Sequence, residues 1–162
     1  MLDTLAVANY RSLRRLVVPL RRVTVVTGAN GSGKSSLYRA LRLLADCARN
    51  GAVNALAAEG GLASTMWAGP GRVGPVSLKL GFAGGDFGYA VDLGMPVPGR
   101  TQFNLDPEIK AEALWGGPVL RPSTLLVERG GPMVRIRDAD GHWCPVARTL
   151  QPFDSVFSEL AD

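Results

Sequence analysis

Val23-Thr24-Val25-Val26-Thr27-Gly28-Ala29-Asn30-Gly31-Ser32-Gly33-Lys34-Ser35-Ser36-Leu37 decides how the rest of this sequence is read. The first five residues are all β-branched, the composition of a buried central strand. Gly28 to Gly33 then places three glycines in six residues, which excludes regular structure. From Lys34 a helical period begins. Leu37, Leu41, Leu44 and Ala48 fall on one face, and Arg39, Arg42, Asp46 and Arg49 on the other. Asn50-Gly51 supplies the stop. The expected unit is strand, glycine loop, helix.

The loop Gly28-Ala29-Asn30-Gly31-Ser32-Gly33-Lys34-Ser35 meets the pattern GxxxxGK[ST] at every fixed position. A chain that cradles several phosphates must bring successive backbone N–H groups within hydrogen-bond reach. Side chains would block that approach, hence Gly28, Gly31 and Gly33. The helix beginning at the loop's end adds its N-terminal dipole. Lys34 supplies a point charge for the β- and γ-phosphates, the Ser35 hydroxyl a ligand for Mg2+, and Ser36 a contact to the α-phosphate. The pattern predicts a nucleoside triphosphate with magnesium as the ligand.

Working outward toward the N-terminus, Leu2 to Ala8 reads as a strand, interrupted by Asn9-Tyr10-Arg11-Ser12. Leu16 to Leu20 reads as a second strand, with Pro19 placing it near an edge. Toward the C-terminus, Ala52 to Ala58 extends the helical region, and Gly60 to Pro75 is a long loop containing Trp67. Val76 to Phe82 and Phe87 to Leu93 predict a hairpin across Ala83-Gly84-Gly85-Asp86. Phe103 to Leu105 is expected to pair with Ile109 to Trp115, and Thr124 to Arg129 with Met133 to Arg137. Asp138 to Gly141 is a turn, and Asp154 or Ser155 caps a final helix. One βα unit is thus followed by antiparallel strands in a single domain over residues 1–162.

The bulk numbers narrow the class. A chain of 162 residues with 46% hydrophobic and 20% charged residues is globular rather than disordered. Its net charge of +4 comes mainly from scattered arginines, which reads as a solvated surface before a polyanion site. Cys47 and Cys144 form no CxxC pair and His142 is the one histidine, which argues against structural zinc and for two reduced thiols. Neither a secretory signal nor a bilayer-spanning apolar run is present, so the expected location is the cytoplasm, with no membrane partner.

Asn9-Tyr10-Arg11-Ser12-Leu13, followed by Thr27 to Leu37, resembles the opening of the ABC-type ATPase heads of SMC and RecF proteins. It is closer still to bacterial predicted ATPases of the AAA-like group, relatives of the OLD-type ATPases; Ala57 to Leu62 and Trp67 to Pro70 share that likeness. The resemblance is specific over residues 1–70 and loose beyond. It implies ATP rather than GTP, a fit with the absence of an NKxD motif. It also places Arg11 and Ser12 beside the nucleotide, and Gln102 as the residue that contacts magnesium or the attacking water. Tyr10 reads as core.

The same family places an Asp-Glu pair at the end of an apolar strand, and no Asp is followed by Glu here. Leu125-Leu126-Val127-Glu128 and Tyr89-Ala90-Val91-Asp92 each have one acid and read as plain strands. The LSGGQ-like signature is also absent. The expectation is an α/β P-loop ATPase lobe, the incomplete N-terminal part of a larger ATPase, that binds ATP but does not turn it over alone. A homodimer formed through a further C-terminal lobe, and DNA as a partner, follow from the resemblance alone. The alternatives are a nonenzymatic nucleotide-binding interaction module and a small-molecule kinase. The antiparallel strands after the loop argue against the kinase.

Overall fold

The computed structural model describes residues 1–67, 69, 77–96, 106–146 and 150–159. Among these residues the frame is one sheet of eight strands in the order β2-β1-β3-β4-β5-β6-β7-β8, every neighbouring pair antiparallel. The strands are β1 (Leu2–Tyr10), β2 (Leu13–Pro19), β3 (Leu78–Gly84), β4 (Phe87–Gly94), β5 (Glu108–Gly116), β6 (Leu125–Gly130), β7 (Met133–Arg137) and β8 (Trp143–Pro145). The helices are α1 (Lys34–Asn50), α2 (Ala52–Ala58), α3 (Leu62–Thr65) and α4 (Val156–Glu159).

Period-two alternation sorts the two faces of this sheet. Leu5 and Val7 of β1, Leu78 and Leu80 of β3, and Tyr89, Val91 and Leu93 of β4 are buried on one side. They join Ala40, Leu43, Leu44 and Cys47 of α1 and Ala52, Ala55 and Leu56 of α2 in one core. Each large aliphatic side chain so buried contributes about 1.5–3 kcal/mol. The opposite face carries small residues at its centre, Ala6, Ala8, Gly81, Ala90, Ala111 and Ala113, with Lys79, Asp92, Glu128 and Arg135 around them.

Most of the expected elements are present. The β3–β4 hairpin turns through Gly85-Asp86, and β6 pairs with β7 as expected. The Asp138–Gly141 turn leads into β8, and the Ser155 hydroxyl accepts the Phe157 N–H at 3.0 Å as the cap of α4. Gly51 ends α1 with φ 78, its N–H bonded to the Cys47 carbonyl at 3.2 Å. Tyr10 is fully buried, both cysteines are free thiols, and His142 is exposed. Phe103 to Leu105 lie outside the described residues, and Ile109–Trp115 pairs instead with β4 and β6.

Leu62–Thr65 forms α3 inside the stretch expected to be loop, and two further expectations fail. Val23 to Thr27 is not a buried central strand. It forms no ladder, and Val23, Val25 and Val26 are 81%, 78% and 48% exposed. Locally, Thr24 Oγ1 accepts the Arg21 N–H at 2.9 Å, which closes a turn in competition with a strand. The deeper cause is that β propensity needs a neighbouring strand, and among the described residues none pairs with this run. The buried face of α1 is also rotated from the expected one. Ala40, Leu43, Leu44 and Cys47 point inward, while Leu41 is 38% exposed. Contact with α2 on one flank and the sheet on the other sets the orientation.

Candidate functional site

The loop after Thr27 runs exposed along the surface to α1. Gly31 and Gly33 have φ of 82° and 96°, left-handed conformations that an L side chain adopts only at a cost. A Cβ on Gly33 would also stand 3.0 Å from Ser12 Oγ and 3.2 Å from Leu13 Cδ2. The glycine therefore allows the β1–β2 turn to press against the start of the helix. Gly33 caps α1 without a side-chain hydrogen bond, and the first turn has no acidic residue. The N–H groups there and the positive helix end face outward without a protein counter-charge on that turn.

Lys34 folds its ammonium back over the loop and donates to the carbonyls of Gly28 at 2.6 Å and Ala29 at 2.7 Å. The Ser32 N–H closes a turn on the Ala29 carbonyl at 3.2 Å. The Ser12 hydroxyl donates to Ser36 Oγ at 2.9 Å, which ties the first hairpin to the first turn of α1. Of the residues expected beside the nucleotide, Ser12 therefore touches the loop's exit directly.

Arg11 sits one residue earlier and faces a cleft of about 820 Å3, lined also by Lys34, Ser35, Arg39, Arg42 and Glu59. Its lining carries four cations, Arg11, Lys34, Arg39 and Arg42, and two acids, Asp46 and Glu59. Arg42 is paired with Asp46 at 3.5 Å, and Arg11 is paired with Glu59. Hydrogen bonding from Glu59, then from Tyr10, raises the Arg11 pKa further, so the guanidinium is charged at any pH of interest. The Tyr10 phenol is raised first by burial.

A smaller depression, of about 460 Å3, on the opposite sheet face is lined by Ala6, Ala8, Gly81, Ala90 and Ala113 and lies away from the loop residues. The two strand-end acids singled out above are both on that face and both paired. Asp92 meets Lys79 at 3.1 Å, and Glu128 meets Arg135. Gln102 lies outside the described residues.

Sequence reasoning missed the cleft's far wall, Glu59 and the stripe of Tyr38, Arg39 and Arg42. The stripe's signal was the spacing of three, four and seven residues from Ser35, which puts these side chains on one helix face beside the loop.

Residues 1–66 match the AAA ATPase domain. The match spans β1, β2, the glycine loop and the first three helices, so it covers the whole of this site and leaves β3 to β8 outside it. Comparison with curated proteins and with solved structures gave no match. The N-terminal part is thus similar to an AAA ATPase domain, a likeness that supports a nucleotide-binding, ATPase-like role. Among the described residues no helix of this lobe or of the rest is long and apolar enough to cross a membrane.

The donor set suits a triphosphate: an ammonium, a guanidinium and an uncapped helix N-terminus at one end of a cleft. For magnesium the lobe supplies the Ser35 hydroxyl, and phosphate oxygens and water would complete the shell, as this cation prefers.

Proposed function

We propose that this lobe binds Mg-ATP through residues 28–36 and is related to the SMC, RecF and OLD ATPases. The observation that carries the reading is the left-handed glycine loop opening directly into α1, with Lys34 held over its carbonyls. In this reading Gly28, Ala29, Asn30, Gly31, Ser32 and Gly33 offer backbone N–H groups to the β- and γ-phosphates. Lys34 transfers its ammonium from the loop carbonyls to phosphate oxygens, an exchange of neutral acceptors for charged ones that strengthens each bond. Ser35 ligates the magnesium ion, which when bound neutralises phosphate charge. Ser36 meets the α-phosphate, Ser12 orients Ser36, and Arg11 approaches from the cleft.

Binding without turnover is the expected behaviour of this chain alone. Hydrolysis needs a group that orients or deprotonates water, and the two strand-end acids are engaged in ion pairs on the other face of the sheet. The exposed valines 23, 25 and 26 favour a further strand or subunit covering this run when the ATPase works. A homodimer and DNA as partners remain part of the proposal through the SMC and RecF likeness. A nonenzymatic module that uses ATP only to order a surface is the second reading, favoured by the missing Asp-Glu pair.

Titration with a fluorescent ATP analogue and Mg2+ tests the proposal, with Lys34→Ala as control. Saturable binding that weakens at least about tenfold in the variant supports it. A wild-type chain that gives no response removes it.

A further inference from the structure

We propose that Glu59 is a positioning residue that holds the Arg11 guanidinium ready for the nucleotide's phosphates. The inference rests on the Mg-ATP reading above and adds a residue that the loop motif does not include.

Arg11 is held in an uncommon backbone state. Its φ is 46° and that of Asn9, near the end of β1, is 61°, two left-handed non-glycine residues at the entry to the β1–β2 turn. The turn keeps this shape because its neighbours grip it. Arg11 N–H donates to the Thr65 carbonyl at 2.7 Å, Trp67 N–H to the Asn9 carbonyl at 2.9 Å, and Asn9 Nδ2 to the Ser77 carbonyl at 2.8 Å. The Arg11 side chain therefore leaves a fixed point on the backbone.

Its head is fixed as well. Arg11 Nη2 donates to the Glu59 carboxylate and, at 3.3 Å, to the Glu59 carbonyl. Arg11 Nε donates to Tyr10 Oη at 3.3 Å, and the Tyr10 hydroxyl donates to Glu59 Oε2 at 3.2 Å. The three side chains close a ring anchored on a fully buried tyrosine. Two of the three guanidinium nitrogens are used in this ring. Nη1 has no protein partner among the described residues, and its two N–H groups remain for a ligand.

An ordinary surface ion pair does not explain the arrangement. The Arg11 and Glu59 side chains are 26% and 17% exposed, so the pair is partly withdrawn from solvent and its Coulomb gain is offset by desolvation. Two strained backbone positions and a three-residue ring are a large investment for such a pair. They make sense if the product is a preorganised cation beside Lys34 and Ser35, whose cleft it shares.

The test measures affinity for a fluorescent ATP analogue with Mg2+ on the intact chain. The variants are Lys34→Ala, Arg11→Ala, Glu59→Ala, Glu59→Gln, Tyr10→Phe and the double Arg11→Ala/Glu59→Ala. Glu59→Ala is expected to weaken binding about fivefold to tenfold alone and not at all when Arg11 is already alanine. Glu59→Gln, which keeps an acceptor for the guanidinium, restores affinity to within about twofold of wild type. Tyr10→Phe preserves the buried ring and removes only the hydroxyl, so it carries the same coupling test if Glu59→Ala does not fold. Equal losses with and without Arg11, or unchanged or tighter binding in Glu59→Ala, overturn this inference while leaving the Mg-ATP reading intact. A wild-type chain that binds nothing, or one whose binding survives Lys34→Ala unchanged, overturns the reading and this inference with it.

Discussion

Glu112 on β5 and Arg129 on β6 stand opposite each other in register, 3.4 Å apart, with both side chains shielded from solvent. Around them the Ser155 hydroxyl and Val156 N–H donate to the Glu112 carboxylate at 2.6 and 3.0 Å, and the Tyr89 hydroxyl donates as well. Arg129 donates to the carbonyls of Gly131 at 2.9 Å and Gln151 at 2.8 Å, and to that of Asp154. Residues 151–156 are thereby held against the sheet by one buried ion pair.

Arg129→Met alone leaves a buried carboxylate without its counter-charge, and about 3–5 kcal/mol of stability is expected to be lost. Glu112→Leu combined with Arg129→Met removes both charges and is expected to recover a large part of that loss. Urea unfolding of the three proteins checks this, and equal stability of single and double variants contradicts it.

Burial, with smaller contributions from Asp46 and Glu112, pushes the Cys47 thiol up to about 12. The folded state therefore favours the protonated thiol, and its contribution is complete below the unfolded pKa of about 8.5. As pH rises from there toward 12, stability falls by at most about 1.4 kcal/mol per unit from this group. Tyr89 is raised in the same direction, mainly by burial, and adds to the loss above about pH 10. Denaturation curves at pH 7.5 and 9.5 should show the decline, and Cys47→Ala should flatten it. A wild-type stability that rises over this range refutes the assignment.

Gly33→Ala and Gly31→Ala separate backbone strain from crowding. Both glycines are left-handed, but a Cβ at 31 meets nothing within 4 Å, whereas one at 33 meets Ser12 and Leu13. Each substitution is expected to cost about 1 kcal/mol for the conformation, with about 1 kcal/mol more at Gly33. Thermal melts that rank Gly31→Ala as the more damaging would be inconsistent with this geometry.

Val23→Ser and Val25→Ser probe the run ahead of the loop. In this structure both side chains are exposed, so each change should lie within about 0.5 kcal/mol of wild type. Chemical denaturation showing a loss of about 2 kcal/mol or more would place these valines in a core.

The glycine loop and the start of α1 were legible because their constraints are local. Gly31 and Gly33 are needed for the φ values they hold, and Lys34 and Ser35 follow at a spacing set by one turn of chain. The hairpin at Gly85-Asp86 and the turn at Asp138–Gly141 were legible for the same reason. The Arg11–Glu59 pair was not, since 48 residues separate partners that meet only when α2 ends beside the β1–β2 turn. Nor was the inward face of α1, because Leu41 and Leu43 are equally apolar and only the position of α2 and the sheet chooses between them.

The amino-acid order alone determined that a left-handed, glycine-rich loop must precede a helix carrying an ammonium and a hydroxyl on its first turn, for these are matters of backbone sterics and short-range chemistry. It also determined the antiparallel hairpins that follow. Whether Val23 to Thr27 becomes a strand, which face of α1 is buried, and which carboxylate meets Arg11 were decided by tertiary structure. Each depends on a partner distant in sequence, and neither β propensity nor periodicity specifies where that partner lies.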